Sequence, residues 1–260
     1  MNTITVGTEN NGYYNILKES CKKNNIKLNN IGYKKKWTGF TMRYELLYDY
    51  LNKIDDDTII LFIDAYDVII LKDKSEIINK FKKFKKNIVF GNQTGFFTNL
   101  TFYNCNNYIY NAGSYIGYAK YIKKFIKILL KDSNLITKFN NDDQQLLNYH
   151  CNCNKTFFEK NTICDINNDI FYITSADTYF DLNYLIFGKL NIPKNTCILH
   201  LAGSIDGTNY LKKIGYDITK VNSINYIFKL KQAIYINKKI SFIIFLFILL
   251  IIYIIFKLVN

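Results

Sequence analysis

The chain has 260 residues, 49% of them hydrophobic and 17% aromatic, with 34 Lys or Arg against 21 Asp or Glu. That is enough for one packed domain with at most a short appendage, and it excludes a disordered chain. One proline, Pro193, and no Gly-rich or Ser-rich run exclude collagen-like chains, mucin-like stalks and long flexible linkers. The formal charge of +13 draws phosphate-bearing partners, but the lysines are spread over Lys34–Lys36, Lys80–Lys86, Lys120–Lys131 and Lys212–Lys213. Without an Arg-rich stripe, most of this excess reads as a solvated surface.

Ile4–Thr8 is a short β-branched run, followed by polar turn residues and by Tyr13–Lys23 at helical spacing. Ile26–Ile31 offers a second strand. Phe40–Ile54 puts Leu46, Leu47, Tyr50, Leu51 and Ile54 on one helical face. Thr58–Ile63 reads as a strand buried on both faces. Ser75–Lys85 is an amphipathic helix with Ser75 as its candidate N-cap, and Asn87–Phe90 is a further strand. This βαβαβ order predicts an α/β domain with a mostly parallel sheet, whose ligands bind beyond the carboxyl ends of the strands.

At the C-terminus, Ile240–Phe256 carries no charge and is flanked by Lys238–Lys239 and Lys257. Seventeen residues at helical rise reach roughly 25 Å, so the expectation is a transmembrane helix over 238–260 behind a domain over 1–237. A buried core helix is the alternative. Met1–Asn10 lacks the pattern of a signal peptide. The expected placement is therefore a single-pass C-terminal membrane anchor, with the domain facing the cytosol or associated with a virion. The six cysteines are then expected to be mostly reduced. His150-Cys151-Asn152-Cys153 is too cramped for a zinc site and has no second ligand pair.

The chemistry starts where Thr58–Ile63 runs into Asp64-Ala65-Tyr66-Asp67. Two carboxylates leaving a buried strand can converge on Mg2+ or Mn2+, with diphosphate oxygens completing the shell. The other reading is a turn with two solvated acids. His200 leaves the apolar run Thr196–Leu199 toward Leu201-Ala202-Gly203-Ser204, as a third ligand or as a structural histidine. Small residues at Asn111-Ala112-Gly113-Ser114 let backbone approach a ligand. Asp142 and Asp143 open a helix, either as simple capping or as contacts to a sugar or acceptor. No P-loop, dinucleotide-binding turn or GxSxG elbow is present.

In chain order the pieces are Val6-Gly7-Thr8, Trp37-Thr38-Gly39, Arg43, Phe62–Val68, Asn111-Ala112-Gly113, Asp142-Asp143-Gln144, Asp165, Ile170-Phe171 and His200. Over about residues 3–205 this order resembles the glycosyltransferase domain of the procollagen lysyl hydroxylase/glycosyltransferase family. It is also similar to stand-alone glycosyltransferase-like proteins of giant viruses. The resemblance implies a GT-A fold, Rossmann-like and nucleotide-binding, with a UDP-sugar donor and Mn2+ (or Mg2+). It implies metal ligands Asp64, Asp67 and His200. Donor contacts would come from Val6, Gly7, Thr8, Arg43, Asp64, Ala65, Tyr66, Gly203 and Ser204, with Tyr66 stacking on uracil. Asn111, Asp142 and Asp143 would face the donor sugar or the acceptor.

The sequence thus reads as a metal-dependent enzyme moving a hexose from a UDP-sugar to a hydroxyl on a protein or glycan. Collagen hydroxylysine is an acceptor by resemblance only. The expected partners are the UDP-sugar, that acceptor, the membrane and a second copy of the chain, with no nucleic acid. Two other readings stay open. Altered loops around Asn111 and after His200 fit a UDP-binding protein without turnover. The basic charge fits a membrane-tethered module that recruits nucleic acid.

Overall fold

The computed structural model describes residues 1–220 together with Leu246 and Leu249. The chain divides into two compact units, Met1–Ser223 and Ile224–Asn260. In the second, the two described leucines are helical.

In the first unit the chain runs β1 (Asn2–Thr5), α1 (Tyr14–Lys23), β2 (Leu28–Asn30), α2 (Met42–Leu51), β3 (Ile59–Ile63), β4 (Val68–Ile70) and α3 (Lys74–Lys83). It continues through β5 (Ile88–Asn92), α4 (Phe96–Asn99), β6 (Tyr110–Tyr118), α5 (Ala119–Leu130), α6 (Ser133–Lys138), α7 (Asp143–Cys153) and α8 (Lys155–Asn161). It closes with β7 (Thr162–Asp165), β8 (Phe171–Ile173), α9 (Leu182–Phe187), β9 (Ile198–His200) and α10 (Thr208–Lys213).

Six strands form one sheet in the order β2-β1-β3-β6-β5-β7, and three form a second, β4-β9-β8. Five strands of the large sheet run in one direction, as the mostly parallel expectation has it, and β6 is the exception. β6 runs antiparallel to both its neighbours, β3 and β5, while the other pairs are parallel. The βαβ reading captured the parallel pairs, since crossover helices link them. β6 returns after the long excursion between residues 93 and 109, which leaves its direction free.

Alternation along β3 divides the core. Ile60 and Phe62 join Ile4, Phe90, Tyr115, Phe125 and Leu147 on one face. Leu61 and Ile63 join Leu17, Val89, Ile116, Phe171 and Ile198 on the other. A strand covered on both faces needs an unbroken apolar run, which Ile59–Ile63 supplies. At α3 the N-cap is Asp73 rather than Ser75, its carboxylate accepting from the Glu76 N–H at 2.9 Å. Cys105 and Cys151 are disulfide-bonded, which corrects the expectation of reduced thiols for this pair. Cys21, Cys153, Cys164 and Cys197 are free.

The expected transmembrane helix is also corrected. Among the described residues no helix is long and apolar enough to cross a membrane. The longest, α5, has 12 residues and reaches roughly 18 Å, against a hydrocarbon core of about 30 Å. The stretch 238–260 itself lies outside the described residues, apart from Leu246 and Leu249. The GT-A fold with a C-terminal transmembrane helix therefore reduces to the α/β fold alone. The single-pass anchor, the membrane as partner, and the cytosolic- or virion-facing placement built on it are set aside.

Candidate metal and nucleotide site

The carboxyl end of β3 delivers Asp64, whose N–H donates to the Gly113 carbonyl of β6 at 2.8 Å. Gly113 leaves room for the Asp64 carboxylate, onto which a Cβ at this position would fall. Asp67 precedes β4, and β4 pairs antiparallel with β9 so that Val68 faces His200. The Leu201 N–H donates to the Asp67 carbonyl at 2.7 Å, locking the two chain segments together. Asp64, Asp67 and His200 thus meet with one ligand atom each, all within 4.8 Å of one another.

His200 Nε2 lies 3.6 Å from Asp64 Oδ2 and 3.3 Å from Asp67 Oδ1. Its Nδ1 is 2.9 Å from Ser114 Oγ. An Nδ1–H donated to Ser114 leaves the Nε2 lone pair facing the carboxylates, the arrangement of a ligating histidine. Burial alone would depress the imidazole pKa. Asp67 and Asp64 outweigh it and hold the pKa above the ordinary histidine value. Two carboxylates and one imidazole form a donor set suited to a divalent ion such as Mn2+ or Mg2+.

Arg43, in the first turn of α2, is the buried cation beside this cluster. Its Nε donates to Asp143 Oδ2 at 2.8 Å, its Nη2 to the same oxygen, and its Nη1 to Asp64. Burial pushes the Asp143 carboxyl up to about 7, even against the pull of Arg43. For Arg43, burial acts to lower the pKa, but Asp143 and Asp64 raise it above its ordinary value. Asp142 is the N-cap of α7, accepting from the Gln145 N–H at 3.0 Å, so its capping reading holds. Burial raises its pKa as well.

The segment after β1 forms a second wall. The Tyr66 hydroxyl accepts from the N–H groups of Thr8 (2.8 Å) and Glu9 (3.2 Å). Gly7 passes so close to Ala65 that an added Cβ would sit 2.9 Å from the alanine methyl. Its N–H donates to Asn30 Oδ1 at 3.0 Å, and Asn30 Nδ2 returns a bond to the Gly7 carbonyl at 2.9 Å. Val6 is buried. Gly203 and Ser204 lie in the turn Ala202–Ser204 just past His200, where Gly203 adopts φ 75° and is exposed.

Asn111 belongs to an amide cluster. Its Nδ2 donates to Gln93 Oε1 at 2.7 Å, and its Oδ1 accepts from the Gly113 N–H at 2.9 Å. Gln144 Nε2 also donates to Gln93 Oε1, at 2.7 Å, and Gln144 Oε1 accepts from the Ala112 N–H at 3.0 Å. The sequence reading missed Gln93 and Asn30, and it noted Ser114 only for its small size and not as a partner of His200. Gln93 has only its place after β5 to mark it, at the strand end where such folds carry function. Ser114 could have been found from register, since it pairs with Ile63, the last residue before Asp64.

The chain matches the family described as the PLOD GT domain over residues 1–185. A stretch of 100 residues is 36% identical to a multifunctional procollagen lysine hydroxylase and glycosyltransferase of Caenorhabditis elegans, covering 34% of this chain and 14% of that protein. Two solved structures are similar at low identity. Galactosyltransferase LgtC, crystallised with donor and acceptor sugar analogs, has a TM-score of 0.46 and 12% identity, covering 86% of this chain and 97% of its own. A197 from STIV has a TM-score of 0.34 and 16% identity, covering 48% and 68%. The family match contains Asp64, Asp67, Arg43, Asn111, Asp142 and Asp143 but stops before His200 and the Gly203 turn, which join the site by geometry. With 185 of its 260 residues matched, the chain belongs to the PLOD GT domain family of glycosyltransferases.

Proposed function

We propose that the chain transfers a hexose from a UDP-sugar to a hydroxyl acceptor at a divalent-metal site, Mn2+ being the preferred ion. The observation that carries this is the Asp64–Asp67–His200 cluster at the carboxyl end of the central strand. These three residues would hold the ion. When bound, it offsets the negative charge of the diphosphate and stabilises it as a leaving group.

The chain's own residues supply the rest. Val6, Gly7 and Thr8 line the uridine, with the Tyr66 hydroxyl fixing their loop and its ring serving as the wall against the base. Arg43, positioned by Asp143, adds a permanent positive charge toward the phosphates. The backbone of the Gly203–Ser204 turn, exposed at Gly203, contacts the same group. Asn111, held by Gln93, faces the donor sugar. Asp143 is committed to Arg43, so Asp142, whose carboxyl pKa is raised by burial, orients the acceptor hydroxyl and takes its proton. The acceptor hydroxyl belongs to a protein or a glycan, and a collagen-like hydroxylysine is the family-level suggestion for a protein acceptor.

Calorimetric titration of the full chain with UDP, with and without Mn2+, tests the reading. Micromolar binding, about −8 kcal/mol, is expected only with Mn2+ and is expected to vanish in Asp64→Ala. Metal-independent binding, or binding retained in that variant, would overturn the assignment.

A further inference from the structure

A cavity of about 890 Å3 opens beyond the far end of the β4–β9 ladder from His200. Its walls are the end of α1, the segment after β4, the stretch 187–196 and α10. None of its lining residues belongs to the site described above. The strands that hold the metal ligands run directly to it. Val68 faces His200 at one end of the β4–β9 ladder, and the Leu71 N–H donates to the Cys197 carbonyl at 2.8 Å at the other. Three residues of strand separate the two ends by roughly 10 Å.

The lining has two chemical characters. Lys23, Lys72, Lys189, Lys194 and Lys213 contribute five positive charges, and no lining residue is acidic. Lys23 pairs with Glu19 at 3.2 Å and lies over the Tyr216 ring at 3.9 Å. None of the other four forms an ion pair among the described residues. Ile70, Leu71, Leu190, Ile192, Pro193 and Ile214 give the same cavity an apolar side. Its volume lies in the range of small-molecule sites, roughly 300–1,000 Å3.

We infer that this cavity binds a soluble phosphorylated amphiphile, with a phosphate or diphosphate head on the lysines and an apolar body on the aliphatic side. Ammonium groups are strong point-charge partners for phosphate. A free inorganic anion would leave the apolar wall unused, and a neutral apolar molecule would leave the lysine charges unmatched. The inference does not depend on the proposed glycosyl transfer.

The test uses the full chain in EDTA, which removes the metal-dependent route for diphosphate binding. Geranyl diphosphate, inorganic diphosphate and geraniol serve as calorimetric probes. Geranyl diphosphate is expected to saturate one site at least tenfold more tightly than either fragment. Lys72→Glu combined with Lys213→Glu should weaken it tenfold or more, and Asp64→Ala should leave it unchanged. The milder pair Lys72→Ala and Lys213→Ala should weaken it in the same direction, which covers misfolding of the reversal pair as seen by circular dichroism. The inference fails if no saturable binding occurs, if inorganic diphosphate binds equally well, or if folded lysine variants bind like the parent. Loss of binding in Asp64→Ala would also overturn it, by moving the ligand to the metal cluster.

Discussion

Replacing Arg43 with Met isolates the central electrostatic bargain of the site. The side chains of Arg43 and Asp143 are 9% and 5% exposed, so water cannot replace the lost partner. Breaking a buried pair from one side costs about 3–5 kcal/mol when the orphan stays charged. Asp143 has an escape, because a proton neutralises it. In the parent its pKa is already pushed up to about 7 by burial, and losing Arg43 removes the main influence holding it down. Both proteins therefore lose stability as pH rises from the unfolded value near 4 toward 7, since the folded state keeps a proton that the unfolded state releases. Above pH 7 the Asp143 contribution levels off in the parent, whereas in the variant it keeps costing about 1.4 kcal/mol per pH unit. Urea unfolding in EDTA from pH 5.5 to 9 should show the gap between the two proteins widening only above pH 7. Adding Asp143→Asn should close most of that widening. A gap independent of pH, or one untouched by Asp143→Asn, would refute the idea that an orphaned Asp143 charge is the cause.

Three further outcomes are expected. Gly113→Ala should displace the Asp64 carboxylate and abolish Mn2+ binding, measured by electron paramagnetic resonance, with circular dichroism unchanged. Mn2+ affinity should fall as pH drops through the raised pKa of His200, because the proton competes for Nε2; in the metal-free protein the same shift contributes stability below the ordinary histidine pKa that is lost as pH rises through the raised one, visible as a falling melting temperature. Removing the Cys105–Cys151 bridge, which spans 46 residues, should cost about 4 kcal/mol in unfolding free energy by the chain-entropy relation, read by comparing the double serine variant with the parent in urea.

Sequence legibility followed how local each signal was. Ile59–Ile63 announced itself because a strand with two covered faces has no room for a polar residue. Asp64 and His200 were singled out because each follows an apolar run, and Asp67 because it stands three residues after Asp64, so the candidates could be placed without knowing the topology. β6 was not read as a strand. Asn111-Ala112-Gly113-Ser114 lacks the β-branched and aromatic residues that mark one, and its direction is set by the chain's route rather than by composition. The smallness noticed there was real, but at Gly113 it makes room for a carboxylate of this same chain. Arg43 and Asp143 were each singled out, yet their pairing spans 100 residues and no spacing rule links a first-turn arginine to a first-turn aspartate on another helix. The same distance problem hid the disulfide, since compartment arguments speak to all cysteines and not to one pair.

The β4–β9 pairing also fixes when the metal cluster comes into being. Asp64 and Asp67 leave the ribosome early, whereas His200 follows more than a hundred residues later and reaches them only by docking β9 beside β4. Until that ladder closes, the growing polypeptide holds two acids and no third ligand. On the proposed metal site, tight capture of an ion would thus be a late event in biogenesis, and a nascent chain stalled before residue 198 would be expected to bind Mn2+ weakly however well its first three strands had formed.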